Sequence, residues 1–425
     1  MNRKIYRSIL LFSVLFVTLI ICLHFAIEMV VPSNMKMVVG EPKAFGYNMP
    51  LRAEVTGPIK GVLKVNSKPV PNDKIQINLQ NPFSISSSTT GKFNVEVKFL
   101  GFITVKNLQV EVINPQSYIP VGKMVGVTVS TDGILVLGTG NFIDENGGKQ
   151  SPSDGKLLTG DYILKVDGVV LDCKEALIDE IAKNSGQEMT LEIRRNDVLQ
   201  TVVVKPQKAS IDDSYKLGIW VRDDTQGIGT LTYINVQDMS FGALGHGITD
   251  IDTKQLMELS GGTIVTSLVT SIIKGDDGAP GEISGVIVDS EENTVAHVKK
   301  NCGNGIFGEL TEKGLDTYSN QDGMEIGFKY DVHVGAATIL SDVGGELAEY
   351  AVEIERIYLN DKTNKGMIIK VVDPILLKLT NGIIQGMSGS PIIQEGKLIG
   401  AVTHVFVQDS SKGYGTFIEN MILEE

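Results

Sequence analysis

The stretch Gly386-Met387-Ser388-Gly389-Ser390-Pro391 lies between two short apolar runs, Ile383-Ile384 and Ile392-Ile393, and a further strand-like run, Leu398-Ile399-Gly400-Ala401-Val402, follows. Small residues let the backbone turn sharply and let another chain approach closely. Pro391 withholds an N–H, and the chain after it has no helical period. The local fold is therefore strand, tight turn, strand, with a serine at the apex. Such a turn can be simple punctuation between strands. It can equally hold a nucleophile with its own N–H groups beside it.

One motif is excluded directly. The nucleophile elbow G-x-S-x-G needs glycine where Ser390 stands and a helix immediately afterwards, so an α/β-hydrolase is not expected. The pattern resembles the G-x-S-G-x-P of chymotrypsin-like serine proteases, in which Ser388 would be the nucleophile.

At 425 residues with 42% hydrophobic residues and 46 glycines, the chain can bury two or three separate cores. Its net charge of −13, with no basic block beyond the first seven residues, argues against nucleic-acid binding. Cys22 stands in an apolar run, and Cys173 and Cys302 are far apart without metal-ligand spacing. Neither a disulfide framework, a metal site nor a cofactor is expected.

Arg3, Lys4 and Arg7 precede the uncharged stretch 9–27, close to the ~20 residues a helix needs to cross a bilayer. Residues 1–31 are expected to be a cytosolic basic flank and a transmembrane anchor, with the remainder translocated. No small-x-small cleavage site precedes Glu28, which favours an anchor over a cleaved signal peptide.

Residues 32–111 are expected to form a small β domain. Ile75, Ile77 and Leu79 alternate with polar residues, as do Phe93, Val95, Val97 and Phe99, and a turn-rich segment separates them. Residues 112–206 change texture. Gly160-Asp161-Tyr162-Ile163-Leu164-Lys165-Val166-Asp167-Gly168 predicts a strand and a tight turn. A helix is predicted from Asp172, with Glu175 as in a capping box, to near Gly186. Met189, Leu191 and Ile193 then alternate up to a turn at Asn196-Asp197, and 199–204 returns. The block resembles a PDZ domain, which captures an extended peptide on a sheet edge. By position its carboxylate loop would begin at Gly122, with Gly126 and Val127 opening the strand.

Residues 207–425 are glycine-rich and strand-rich, a length that suits two packed β-barrels. A serine nucleophile needs a base and a group that orients the base. Among five histidines, His24 lies in the apolar N-terminal run, His297 and His333 in strand-like stretches, and His404 in the strand after the serine loop. Only His246 stands among small residues, in Gly242-Ala243-Leu244-Gly245-His246-Gly247, and it precedes the serine as the chymotrypsin order requires. The orienting acid stays open among Asp250, Asp252, Asp276, Asp277 and Asp373, the last in an Asp-Pro at a strand end.

The strings Gly227-Ile228-Gly229-Thr230, Gly242-Ala243-Leu244-Gly245-His246, the run 382–394 and 400–407 with Gly413-Tyr414-Gly415 behind it resemble the SpoIVB peptidases of endospore-forming bacteria. That resemblance implies a mainly β chain: an N-terminal transmembrane helix, a small β domain, a PDZ domain and a chymotrypsin-like double β-barrel. It assigns Ser388, His246 and Asp373 as the catalytic residues, and backbone N–H groups of Gly386 and Ser388 would hold the oxyanion. It further implies a protein of the forespore membrane, facing the space between the two spore membranes, that cuts itself. Its other partner would be a regulatory membrane protein of the sigma-K processing complex, a membrane metalloprotease. Two alternatives remain: a non-catalytic, membrane-anchored PDZ scaffold, and a Ser-Lys peptidase with Lys397 or Lys412 as base.

Overall fold

The computed structural model describes residues 3–30, 33–45, 51–56, 62–69, 74–99, 103–318, 321–361 and 363–424. The expected boundary at 31/32 falls outside them. The chain divides into two compact units, Met1–Gln116 and Ser117–Glu425.

The first unit opens with the helix Arg3–Val30, over the stretch expected to be an anchor. Its apolar run is interrupted by Ser13 and Thr18, whose hydroxyls donate to Ile9 O and Val14 O. Among the described residues no helix is long and apolar enough to cross a membrane, so the expected transmembrane element is not found. The rest of this unit is β-structure. Strands Asn34–Val38, Ile103–Ile113, Gly91–Phe99, Leu51–Thr56 and Lys74–Asn78 form one sheet, and Lys43–Phe45, Phe83–Ser87, Leu63–Val65 and Lys68–Pro69 a second. The period-2 alternation explains the packing. Phe93, Val95 and Val97 point inward with Ala53, Leu108, Phe83 and Ile85, while their neighbours face outward.

The second unit is organised by two closed rings of strands. In the later ring Gly335–Ser341, Ala348–Ile357, Met367–Val371, Asp409–Phe417, Lys397–Phe406 and Pro391–Gln394 pair in that order and close into a barrel. Ile339, Val352, Ile354, Ile369, Ile392 and Val402 fill it. In the earlier ring Ser117–Thr139 pairs with Ile219–Asn235, which pairs with Ser240–Ala243, then Gly305–Leu310, Thr294–Cys302 and Leu259–Ile273. Leu259–Ile273 pairs back onto Ser117–Thr139 and completes the circuit. Val121, Val125, Leu231, Phe241, Ile264 and Val295 fill this second interior.

The earlier ring crosses the expected boundary between 112–206 and 207–425. Its first strand belongs to the former block and its second to the latter, and residues 140–218 are inserted between them. The insertion carries the predicted hairpin: Asn196 and Asp197 have φ of 50° and 62°, and Met189–Arg195 pairs with Val198–Val204 around them. Its helix is Lys174–Asn184 and starts two residues later than predicted. The capping box does not form. Asp223 instead accepts from the Lys174 N–H at 2.7 Å and from Lys174 Nζ at 2.8 Å, which satisfies the helix start from a distant strand.

Candidate active site

The turn at 386–389 is held from three sides. Met387 is fully buried in the later barrel, Gly389 N–H donates to Val402 O at 2.7 Å, and Ser390 N–H donates to Met387 O at 3.0 Å. Gly386 and Gly389 have φ of +103° and +100°, which only glycine adopts without strain. The third tie comes from the earlier ring. Thr230 N–H donates to Ser388 O at 3.0 Å and Thr230 Oγ1 donates to Gly386 O at 2.9 Å. The serine turn is thus one structure with the strand Ile219–Asn235.

With Met387 N–H on Ile384 O, the N–H groups of Met387, Gly389 and Ser390 are all taken. Those of Gly386 and Ser388 have no partner among the described residues. Two such donors beside one hydroxyl are what a developing oxyanion requires.

Ser388 and His246 line one cleft of about 470 Å³. Its walls are residues 225–229 and the His246 loop from the earlier ring, and residues 383–386, Ser388 and 403–405 from the later one. Ser388 Oγ donates to Thr403 O at 2.8 Å, so the hydroxyl is parked on a carbonyl rather than on the imidazole. His246 is half-buried, and its Nδ1 lies 3.0 Å from Gly247 O. A carbonyl can only accept, so this contact places a proton on Nδ1 and leaves Nε2 as the basic nitrogen. Burial holds the His246 pKa below the usual imidazole value, the Gly247 carbonyl opposing that shift. The ring is accordingly neutral, and able to accept a proton, at neutral pH.

Asp373 is not brought to this cleft. It caps the helix Pro374–Thr380, accepting from Ile375 N–H at 2.9 Å, Leu376 N–H at 3.1 Å and Ala351 N–H at 3.3 Å. An aspartate directly before a proline at the first helical position is a strong N-cap, and that local preference sets its place. Asp250 is also engaged elsewhere, paired with Arg222 and accepting from Thr253 N–H at 2.7 Å, and Asp252 meets Arg222 at 2.8 Å. Lys397 and Lys412 pair with Glu325 and Glu355 and neither lines the cleft.

The expectation for Gly122, Gly126 and Val127 needs correction. Val127 is paired on one edge with Gly227 and on the other with Ile264, and Gly126 with Ile228 and Val265. Both edges are closed there, so a peptide cannot add as a strand. Gly122, with φ +65°, packs against the Leu340 backbone.

One cleft residue was missed from sequence. The His404 ring lies 5.3 Å from that of His246, tilted by 39°. Lost solvation, then repulsion from His246 and Lys365, pushes its pKa down to about 4. The available signal was alternation: Val402 faces the barrel core, so His404 shares its phase and would be assigned inward, whereas a register shift between Val402 and His404 turns the ring out.

Two six-stranded rings with a serine on one wall of their shared cleft and a histidine on the other form an arrangement that serine peptidases use. Residues 213–422 match the family of SpoIVB peptidase S55, and through that segment the chain belongs to it. No curated protein matches significantly. Among solved structures, the PDZ domain of the SdrC-like protein from Listeria monocytogenes is similar at 20% identity, over 21% of this chain and 87% of that one, with a TM-score of 0.18. The structure of GrC is similar at 9% identity, over 71% and 91%, with a TM-score of 0.21.

Proposed function

We propose that this chain is a serine endopeptidase that cuts itself and then a regulatory subunit of a membrane metalloprotease complex, the step that releases sigma-K processing during sporulation. The observation that carries the peptidase part is the meeting of Ser388 and His246 in one cleft, with the Gly386 and Ser388 N–H groups of the same turn unbonded among the described residues. Ser388 Oγ leaves Thr403 O and attacks a peptide carbonyl, and His246 Nε2 takes its proton. The oxyanion forms against the two N–H groups. The protonated imidazole then gives its proton to the leaving amine, and water hydrolyses the acyl-enzyme by the same route. Gly247 O fixes the tautomer throughout. The family resemblance gives the orienting role to Asp373, whereas its bonds here make it a helix cap.

The biological role rests on the family resemblance, as does a place at the forespore membrane facing the intermembrane space. The basic residues Arg3, Lys4 and Arg7 ahead of the uncharged stretch 9–27 support export. Capture of peptide segments by the inserted block 140–218 is part of the same reading.

The test is self-cleavage. Full-length wild type and Ser388→Ala are expressed side by side and fragment masses followed over time. Wild type is expected to shorten at defined bonds while Ser388→Ala, slowed by about 10⁶, stays whole. Identical fragmentation of the two assigns the cuts to host proteases. An intact wild type favours the non-catalytic scaffold.

A further inference from the structure

The strand Leu259–Ile273 leaves its ring after Thr266. Beyond that residue its strand partner among the described residues is Glu282–Ile287, with Ile272 opposite Ile283, so 267–287 forms a two-stranded arm. The end of the arm is seated on the other ring. Gly275 N–H donates to Thr380 O at 3.0 Å, Gly278 N–H donates to Val407 O at 2.9 Å, and Asn381 Nδ2 donates to Gly275 O at 2.8 Å. The Ile283 side chain is buried in the core of the later barrel.

Between these anchors the arm holds one residue of the serine loop from both sides. Gln385 N–H donates to Gly281 O at 2.8 Å, and Ile283 N–H donates to Gln385 O at 3.0 Å. Residue 281 has to be glycine for this. A Cβ there would collide with Ile273 O and stand 2.7 Å from Ile384 Cγ2.

The second of those bonds bears on the oxyanion donor. Met387 N–H donates to Ile384 O at 3.1 Å, which makes 384–387 a β-turn, and φ of +103° at Gly386 is the type II form. A type I turn has the same ends with its central peptide turned over, and glycine at the third position is compatible with both. In this turn the central peptide joins Gln385 to Gly386. A trans peptide is planar, with C=O and N–H pointing in opposite directions. The bond from Ile283 therefore draws the Gln385 carbonyl to the arm and sends the Gly386 N–H away from it. Turned over, the same peptide would present a carbonyl where the N–H now stands, and a carbonyl repels an oxyanion.

We infer that the arm 267–287 positions the oxyanion hole, with Gly281 and Ile283 as positioning residues that act through the backbone of Gln385 on the N–H of Gly386. Thr230 Oγ1, on the Gly386 carbonyl, holds the next peptide from the same ring. The serine ring carries the hole, and chain from the histidine ring sets its orientation. This role rests on the peptidase reading above.

The experiment uses full-length wild type, Ile283→Ala and Ile283→Pro. Alanine removes most of the buried side chain and keeps the N–H, whereas proline removes both. Antiparallel partners alternate between bonded and non-bonded pairs, and Ile283 gives its N–H to Gln385, so proline there breaks no bond of the arm itself. Rates are measured on a peptide that spans a bond the wild type cuts in itself. The hole is measured separately by the inhibition constant of the matching peptidyl trifluoromethyl ketone, whose adduct with the serine carries the oxyanion. Both variants are expected to melt below wild type. Ile283→Ala is expected to keep kcat within about threefold. Ile283→Pro is expected to lose a further factor of about 10²–10³ in kcat at unchanged KM, and to weaken the ketone by the same factor. Equal kcat and equal ketone affinity in the two variants overturn the positioning role and leave the peptidase intact. If Ile283→Pro shows no cooperative melt, Gly281→Ala replaces it, because its methyl displaces the end of the arm. A fall in kcat matched by the ketone then supports the role, and wild-type values overturn it. A wild type that does not cut itself removes the peptidase reading, and this role with it.

Discussion

The two walls of the cleft are built in opposite ways. The serine wall belongs to a ring whose six strands all lie within Gly335–Ser341 to Asp409–Phe417, and its turn is set between the helix Pro374–Thr380 and the strand Pro391–Gln394. The histidine wall belongs to a ring that closes only when Ser117–Thr139 pairs with strands beginning at Ile219 and Leu259, across an inserted block. One wall is fixed by local chain, the other by distant pairing. Local construction fixes the position of Ser388 within its own ring, and distant construction makes the position of His246 depend on parts of the fold far from it in sequence.

The largest effect expected comes from breaking the histidine wall at its chemistry. His246→Ala should lower turnover by about 10⁶, measured on a purified peptide substrate, because the proposed mechanism routes the Ser388 proton through His246. Turnover retained within about 10² would move the base to His404, the other imidazole in the cleft. Next comes the seam between the walls. A Cβ on Gly389 would collide with Thr230 O and stand 2.7 Å from Leu244 N, on a residue whose φ is +100°. Gly389→Ala should therefore destabilise the unit by about 3 kcal/mol and reduce kcat about 10²-fold through displacement of the serine. Thermal melting and single-turnover rates check the two effects separately. Unchanged melting would mean that the walls do not hold each other.

The same contrast explains what could be read from the sequence. The serine turn, the Asn196-Asp197 hairpin and the alternation in Gly91–Phe99 are written in neighbouring residues, and each formed where its residues lie. Ring closure was not legible. The strand Ser117–Thr139 carries the alternation of two folds in turn, so a boundary drawn from texture placed all of it with the inserted block. The cap on Lys174 could not be read for the same reason, since Asp223 arrives from another strand. At the site, His246 was found through its glycine-rich loop. The outward turn of His404 depends on a register shift that no local pattern announces.

His404 offers a smaller and more specific test of the histidine wall. Its folded pKa is pushed down to about 4, below the ~6.5 of an unfolded imidazole. As pH falls through 6.5 the unfolded chain takes up a proton that the folded chain does not. Stability is therefore lost from pH 6.5 down to about 4 and changes no further from this group below that. His404→Gln should flatten the dependence of melting temperature on pH across that window. The acid limb of kcat/KM should stay where it is, because burial rather than His404 sets the pKa of His246. A limb that moves with His404→Gln would make the two imidazoles one titrating pair.

The smallest effect separates the two roles open to Asp373. As a helix cap it accepts from Ile375 and Leu376 N–H through Oδ1, a function that asparagine performs equally well. As the acid that orients His246 it would need its charge, and asparagine would cost about 10⁴ in turnover. The helix it caps leads through Asn381 and Gly382 into the serine turn, so even a pure cap touches activity through the position of Ser388. Asp373→Asn is expected to keep melting temperature and turnover within about twofold, while Asp373→Ala should lose about 1 kcal/mol of stability. Turnover lost in the asparagine variant at an unchanged melting temperature would mean that Asp373 leaves its cap when substrate binds. The serine wall would then supply the orienting acid as well as the nucleophile, and the histidine wall would contribute the imidazole alone.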